Sequence, residues 1–443
     1  MSDRGTIGIG GIEGGPAGVL ARWSGQYPVF IGLYAYLVAE ATVAAIGSGS
    51  IRNSVQSPNL AGNRARLKMI RQVTASANTE LDGVLELLCE ALQPTPTEWE
   101  DADQKYNAAG NWLSAPQSRL YTFHPEIKYQ GSALLGTVVR PWLREEFDVD
   151  LLCILQTNRF RNPDPMVLYD MVANRLAEHA TYRKLMTRKA RCIELNYAGQ
   201  FHLDIVPAIP LGVGQSLLIP DREQRQWIGT DPFGYAEWFY GRTPVLNAGA
   251  KFEARADVAP LPPARRAADI SPLQRTAQLI KRRRDLYFKG SDDAPKSIAL
   301  TTLSAKHYGG EALCTDALMS VLYGIQMEIE NARGVLIIPN PVDPTENLGR
   351  HWNEVSYLKF KRFIRQFINE MCELFEMSGW NRITEALEEM FGDRGRRAVE
   401  KYAESVEERR RGNRLGYSRG PAILTPAIVT PAVPVRRHEF YGS

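Results

Sequence analysis

The stretch Gly131–Leu155 constrains the fold of this chain more than any other part of its sequence. It opens with a Gly-Ser pair and closes with Asp148 and Asp150 inside a run that is otherwise apolar. In an extended strand alternate side chains share a face, so these two aspartates point the same way. Two carboxylates side by side on a buried strand repel each other and are costly to desolvate, and a divalent cation removes both problems. The stretch therefore predicts a strand that carries a metal site.

A second pair of strands predicts a third carboxylate at the same place. Arg191–Tyr197 and Gln200–Val206 are mostly apolar segments joined by an Ala-Gly pair, which is typical of a hairpin. Asp204 is the acidic residue on the polar-tolerant face of the second segment. If this segment pairs beside the strand of Asp148, three carboxylates converge. Such a triad can hold two metal ions about 3.5–4 Å apart, an arrangement used for phosphoryl displacement.

The overall composition is that of a globular protein and argues against several other classes. The 443 residues are enough for two or three domains, and a net charge of +3 does not indicate a protein that coats nucleic acid. The five cysteines are scattered and form no CxxC pair, which argues against a zinc site and a disulfide framework. We therefore expect a reducing, cytoplasmic location.

Residues 1–68 differ in composition from the rest of the chain. Their glycine-rich start does not fit a dinucleotide-binding pattern, because Glu13 occupies the position of the third glycine. Val29–Ile46 is apolar, but it is short and carries Glu40, which is costly inside a membrane. We expect a poorly ordered extension, with Met69 as an alternative natural start, and no stable membrane association. A membrane anchor is the less favoured alternative.

The rest of the chain divides into three predicted parts. Residues 69–265 are expected to form the metal-binding domain with its N-terminal helices, and residues 266–408 a helical lobe. Residues 409–443 contain repeated prolines without a period and predict a disordered tail. Helical spacing of apolar residues, with proline and capping signals, predicts helices at Thr79–Leu92, Thr97–Leu113, Val167–Leu185, Ser297–Tyr308, Leu313–Ala332, Lys359–Glu376 and Arg382–Phe391, and another that begins at Ser271-Pro272.

Five separated motifs carry a resemblance to a known family. They are GSALLGT, FDVDLLCIL, SPLQRTAQLIKRRRDLYF, SIALTTLSAKHY and NPVDPTENLGRHW. Together they resemble the bacterial cGAS/DncV-like nucleotidyltransferases, relatives of cyclic GMP-AMP synthase and oligoadenylate synthetase, over about Thr79 to Lys401. The resemblance implies an α+β fold. It would combine a polymerase β-like nucleotidyltransferase sheet and its helices with a C-terminal helical lobe like that of oligoadenylate synthetase.

The resemblance also implies roles for particular residues. Gly131 and Ser132 match the turn that grips the triphosphate of a bound NTP. Asp148, Asp150 and Asp204 match the catalytic triad that binds two magnesium ions, with manganese as an alternative. In related enzymes the third aspartate lies nearest the acceptor hydroxyl, which implies that it contacts this hydroxyl or acts as its base.

Two further phosphate contacts are implied in the helical half. Lys281 resembles the helix lysine that contacts phosphates in such enzymes. Ser297 is the best match for the second contact, and Thr301 is its rival. The implied activity is synthesis of a cyclic oligonucleotide messenger from NTPs in antiphage defence, with a downstream effector as the receiver. A linear oligonucleotide synthetase, an RNA-modifying nucleotidyltransferase and an inactive nucleotide-binding scaffold remain as alternatives.

The C-terminal tail is expected to bind a partner or to be a passive end. Two arginines and two aromatic residues lie in the otherwise bland segment after Pro434. An extended peptide with such anchors suits strand addition or capture of a free C-terminus. The family resemblance implies a HORMA-type or ubiquitin-transfer-like regulator as the partner.

Overall fold

The computed structural model describes most of the chain from Asn78 onward, and all of the described residues belong to one compact unit. The predicted extension 1–68 and the apolar segment Val29–Ile46 lie outside the described residues. No helix within the described part is both long enough and apolar enough to span a membrane. The described ranges are 78–140, 146–156, 164–212, 216–243, 258–259, 261–262 and 270–411, with the backbone of 415–417, 424–426 and 433–434.

Helices and strands alternate in the first half of the described chain, and helices dominate the second half. The helices are α1 Asn78–Leu92, α2 Pro96–Ser114, α3 Gly131–Leu135, α4 Pro165–Glu178, α5 Ala180–Leu185, α6 Pro232–Tyr240, α7 Pro272–Phe288, α8 Ser297–His307, α9 Cys314–Asn331, α10 Glu354–Glu376, α11 Trp380–Phe391 and α12 Asp393–Arg411. The strands are β1 Glu126–Gln130, β2 Phe147–Ile154, β3 Met186–Arg188, β4 Ile193–Tyr197, β5 Phe201–Pro210, β6 Leu217–Asp221, β7 Gln226–Thr230, β8 Leu415–Tyr417, β9 Leu424–Pro426 and β10 Val433–Pro434.

Seven of the described strands form one mixed sheet. Its main order is β1-β2-β5-β4-β3, and β6 and β7 extend from the end of β5. The central pair, β2 and β5, is parallel, whereas the other pairs are antiparallel. The predicted hairpin is confirmed as β4 and β5, which pair from Tyr197 opposite Phe201. The predicted α+β class is also confirmed, because this sheet is followed by a helical half.

The sheet packs its apolar face against α2 and α4. Phe147 and Phe201 are register partners on β2 and β5, and their rings stack at 5.6 Å. Trp99 of α2 stacks on Phe147 at 6.1 Å and donates from Nε1 to the carbonyl oxygen of Pro262 at 2.7 Å. The backbone at Pro262 is therefore attached to this core. Burial of such aromatic side chains is a main source of stability for the sheet.

The first helix belongs to the other core of the unit. The predicted apolar stripe of α1 is buried, but it packs among the C-terminal helices rather than against the sheet. Asp82 accepts hydrogen bonds from the backbone N–H and hydroxyl of Thr315, at the start of α9. α1 therefore belongs to the core of the C-terminal helices. Its sequence position precedes the sheet, but its stripe is complementary to the helical lobe.

Two other helix boundaries differ from the predictions for local reasons. α2 is capped by Thr95, not by Thr97, because Pro96 suits the first helical position and Glu98 completes a capping box. The predicted helix over Val167–Leu185 divides into α4 and α5 at His179, whose backbone is extended (φ −85°, ψ 122°).

Some described residues within the predicted tail form short regular elements. α12 continues to Arg411, and β8 pairs with β9 on one side and β10 on the other. Pro426 and Pro434 lie at the ends of the two outer strands, where a missing backbone N–H is tolerated, and the central strand has no proline. The prolines therefore limit the strands to short edges without preventing them.

Candidate active site

Two carboxylates face each other across the parallel pair at the centre of the sheet. Asp150 of β2 is the register partner of Asp204 of β5. The same row continues to Gln130 on β1 and Glu194 on β4. Phe147 and Val149 of β2 are buried on the opposite face, as the alternation of the sequence predicts. The prediction that the strand of Asp204 pairs beside the strand of Asp150 is confirmed.

The third carboxylate lies one pleat further along the strand and is turned toward a histidine. Asp148 is the register partner of His202, and Asp148 Oδ1 lies 3.5 Å from His202 Nδ1. The Nε2 atom of His202 lies 2.9 Å from Glu146 Oε2. Among the described residues, no group of three acidic, histidine or cysteine side chains is assembled as a metal site. The three aspartates share one face of the sheet, but Asp148 is paired with His202 rather than grouped with Asp150 and Asp204.

The electrostatic state of the facing pair fits a cation. Burial raises the pKa of Asp150 to about 7, and repulsion from Asp204 and Asp148 adds to the shift. Burial also raises the pKa of Asp204 above its ordinary value, and repulsion from Asp148 adds to this shift. Asp204 Oδ1 is buried and has no hydrogen-bond partner. A buried acceptor without a donor is costly, so the oxygen donors present here suit a divalent ion.

The Gly-Ser turn lies directly beside these carboxylates. β1 ends at Gln130, opposite Asp150, and α3 begins at Gly131. Gly131 has a φ of +61°, and a Cβ at this position would overlap Asp150 Oδ2. Only glycine meets both conditions without strain. The helix ends at Leu135 and is capped by Gly136, and the N–H of Thr137 donates to the carbonyl oxygen of Ser132 at 3.0 Å.

The predicted helix lysine is buried behind this turn rather than exposed in the cleft. Lys281 of α7 donates from Nζ to the carbonyl oxygen of Thr137 at 3.1 Å and to its Oγ1 at 3.0 Å. Burial lowers the pKa of Lys281 to about 7, and nearby Arg284 lowers it further while Asp150 opposes the shift. Lys281 therefore holds the far end of the turn and lies within the electrostatic range of the carboxylates.

The two rival hydroxyl residues of α8 have different surroundings. Ser297 is exposed in the first turn of the helix, and its Oγ accepts a hydrogen bond from Arg284 Nη1 at 3.2 Å. Thr301 is buried, and its hydroxyl donates to the carbonyl oxygen of Ser297 at 2.9 Å. Exposure favours Ser297 over Thr301 as a residue that a ligand can reach.

A cleft of about 300 Å³ lies between the sheet and the helical lobe. Gly131 and Asp150 line one side of it, and Asp231 and Tyr235 line another part. The opposite wall comes from the N-terminus of α8 and from the turn between α9 and α10. That wall includes Lys296, Ile298, Asn340, Glu346, Leu348, Arg350 and His351. Apart from Lys296, these wall residues lie within two of the motifs that carry the family resemblance, but no local signal in the sequence places them at the cleft.

Comparisons with known proteins agree with this architecture. The sequence profile of the Second Messenger Oligonucleotide or Dinucleotide Synthetase domain matches residues 81–242. The c-di-GMP synthase of Roseivirga ehrenbergii is 33% identical over 382 residues, covering 84% of this chain and 99% of that protein. The cyclic dinucleotide synthase CdnG of Bradyrhizobium diazoefficiens is 26% identical over 398 residues, covering 80% and 90% of the two proteins. The solved structure of CdnG in complex with GTP has a TM-score of 0.58 at 22% identity, covering 74% of this chain and 99% of that one.

The fold and the similarity together define a nucleotidyltransferase with a mixed sheet and a helical C-terminal region. The chain belongs to the bacterial cGAS/DncV-like nucleotidyltransferases, the second messenger oligonucleotide or dinucleotide synthetases. The predictions of the family, of an enzyme and of cyclic oligonucleotide synthesis are therefore confirmed. Enzymes of this family depend on metal ions and bind nucleoside triphosphates.

Proposed function

We propose that this enzyme converts two molecules of GTP into a cyclic dinucleotide, c-di-GMP, with release of two pyrophosphates. The structural observation that carries the proposal is the contact between the Gly131 turn and Asp150, with Asp204 opposite on the parallel strand. The choice of guanine is supported by the similarity to a c-di-GMP synthase over nearly its whole length. The CdnG structure contains GTP, which agrees with this choice.

The proposed metal ligands are Asp148, Asp150 and Asp204. They would hold two magnesium ions, with manganese as the alternative, and Asp148 would turn away from His202 to take part. Bound there, the ions would favour ionisation of a ribose hydroxyl and neutralise charge on the leaving pyrophosphate. Asp204 Oδ1 is a buried acceptor without a donor, so it is suited to contact the cation or the attacking hydroxyl.

The proposed triphosphate contacts are the turn of Gly131 and Ser132 together with residues of the helical half. The backbone at Gly131 can approach a phosphate closely because no side chain intervenes. Ser297 is exposed at the start of α8, between the cleft residues Lys296 and Ile298. Lys281 would act from behind the turn, by fixing Thr137 and by adding positive charge near the phosphates.

The same bonds form and break in each of the two phosphoryl transfers. A ribose hydroxyl oxygen forms a bond to the α-phosphorus of a GTP, the bond to pyrophosphate breaks, and the hydroxyl proton leaves to a base or to water. The first transfer gives a linear dinucleotide that keeps a 5′-triphosphate. The second transfer uses that triphosphate and closes the ring, which leaves no terminal phosphate.

We also propose which parts of the chain form the catalytic domain and the helical lobe. Residues 69–265 would supply the catalytic domain, except that α1 serves the core of the helical lobe at 266–408.

The messenger would act on a downstream effector in antiphage defence, within the cytoplasm. The C-terminal tail would bind a HORMA-type or ubiquitin-transfer-like regulator, and a chain that lacks Pro434–Ser443 should then keep its synthase activity and lose that partner.

Product analysis tests the proposed function. The full-length protein is incubated with all four NTPs and magnesium, treated with phosphatase, and its products are identified by mass spectrometry. The proposal expects c-di-GMP to survive phosphatase and to be absent when EDTA replaces magnesium. A product that is wholly sensitive to phosphatase would instead indicate a linear oligonucleotide synthetase, and a product without guanine would refute the choice of base.

A further inference from the structure

The turn between α9 and α10 forms a rigid wall of the cleft. Asn347 organises it, because its Oδ1 accepts hydrogen bonds from the backbone N–H groups of Ile338 and Gly349, both at 2.9 Å. The N–H of Leu348 donates to the carbonyl oxygen of Ile338 at 2.8 Å, and Pro339 forms an antiparallel bridge with Asn347. Side chains on such a turn are held in place before a ligand arrives, which lowers the entropic cost of binding.

Glu346 is the acidic side chain that this turn presents to the cleft. Asn340 Nδ2 donates to its Oε2 at 2.7 Å, and Arg350 Nη1 donates to its Oε1. The side chain is 32% exposed and lines the same cleft as Gly131 and Asp150. An ionised carboxylate accepts about four hydrogen bonds and donates none. The two carboxylate oxygens of Glu346 each accept one hydrogen bond from the protein and can therefore accept a further one from a ligand.

Apolar side chains accompany this carboxylate in the cleft. Leu134 and Leu348 line it, together with Ile298, which is 40% exposed. An exposed isoleucine beside a few fixed polar groups is typical of a ligand pocket, where the apolar surface covers a flat ring and the polar groups set its orientation. The cleft thus offers both surfaces that a nucleobase requires.

We propose that Glu346, positioned by Asn340 and Arg350, selects guanine as the base of the bound nucleotide. Guanine presents two adjacent donors, N1–H and the N2 amino group, which match the two oxygens of a carboxylate. Adenine presents the acceptor N1 beside its N6 amino group, so one carboxylate oxygen would face a lone pair. A site built for hydrogen bonds rejects a ligand that leaves its polar groups unpaired. This inference rests on the proposed function and names the residue that sets its substrate.

The first test replaces the carboxylate with its isosteric amide, Glu346→Gln. A carboxamide has one acceptor and one donor, which matches the N6 and N1 edge of adenine instead of the guanine edge. The dissociation constants of non-hydrolysable GTP and ATP analogues are measured on the full-length protein by calorimetry. The ratio that favours GTP should fall by about tenfold or more, since each lost hydrogen bond to a charged group has an effect of that size. Glu354→Gln, on the exposed first turn of α10, is the matched control and should leave the ratio unchanged.

The second test uses the unaltered protein, so it does not depend on the folding of a variant. Inosine triphosphate differs from GTP by the absence of the N2 amino group. It should bind the wild-type protein about tenfold more weakly than GTP, and this difference should disappear in Glu346→Gln. Equal binding of the two nucleotides to the wild type, or an unchanged GTP preference in Glu346→Gln, would overturn the inference.

The two proposals fail in distinguishable ways. If Glu346→Gln loses the GTP preference but the wild type makes no cyclic product, the base selection stands and the proposed function is wrong. If the wild type makes c-di-GMP and Glu346→Gln keeps the preference for GTP, the synthase proposal stands and Glu346 is not the selecting residue.

Discussion

The α-carbon of Gly131 lies so close to Asp150 that a Cβ at position 131 would overlap the Oδ2 atom of that aspartate. The strand pairing explains the contact, because Gln130 and Asp150 are register partners and Gly131 follows directly. The strand register therefore places Gly131, in the proposed phosphate turn, next to the proposed metal ligand Asp150. A substitution at Gly131 should therefore displace the Asp150 carboxylate.

The variant Gly131→Ala tests this adjacency. Its side chain would meet the Asp150 carboxylate and would also require a left-handed φ, which costs about 1–2 kcal/mol. Gly212→Ala is the matched control, because Gly212 has a φ of +69° and open space around its Cβ position. Both variants should lose stability in thermal unfolding, Gly131→Ala more because of the overlap, but only Gly131→Ala should lose most of its synthase activity. Similar activity losses in the two variants would show that backbone strain alone matters.

The raised pKa of Asp150 predicts a pH dependence of stability in the metal-free protein. Its ordinary value is 3.8 and its value in the folded protein is about 7. Between these two values the unfolded chain releases the proton and the folded protein retains it, so stability falls as the pH rises through this window. Asp150→Asn removes the group and should raise the unfolding midpoint relative to wild type at pH 8, with a clearly smaller difference at pH 5.

This comparison is made in EDTA, so that no cation compensates the charge. Asp292→Asn, on an exposed loop before α8, controls for the general effect of removing a negative charge. If Asp150→Asn changes the midpoint equally at both pH values, Asp150 is not held in its protonated form and the electrostatic description of the site is wrong.

Lys281 can be tested for an electrostatic effect on bound phosphates. Lys281→Met keeps most of the side-chain volume and removes the charge, whereas Thr137→Val keeps the charge and removes only one hydrogen-bond partner of the lysine. If Lys281 acts on the phosphates, Lys281→Met should weaken NTP binding by about tenfold or more and Thr137→Val should weaken it far less. Equal losses in the two variants would mean that the lysine serves only to hold the turn.

Local pattern was enough to predict much of the site. Alternation along β2 placed Asp148 and Asp150 on one face, and the hairpin signal located Asp204. The capping signal at Ser271 gave the start of α7, where Ser271 and Gln274 form a capping box. These features depend on residues that are near one another in sequence, so their periodicity and turn chemistry specify them.

Long-range packing was not predictable in the same way. Lys281 was expected to meet phosphate, but α7 buries it against Thr137, 144 positions earlier in the chain. The wall formed by Asn340, Glu346 and Arg350 is opposite Gly131 only because the helical lobe folds over the sheet. The interaction of Asp148 with His202 follows from the register of a parallel pair, which no local signal specifies.

The most direct test of the central claim is the product of the double variant Asp148→Asn, Asp150→Asn. Both changes keep side-chain size and remove repulsion, so the unfolding midpoint should be unchanged or higher. Wild type and variant are incubated with all four NTPs and magnesium, treated with phosphatase, and analysed by mass spectrometry. The account predicts a phosphatase-resistant cyclic dinucleotide from the wild type and none from the folded variant. Undiminished product from the variant would contradict it.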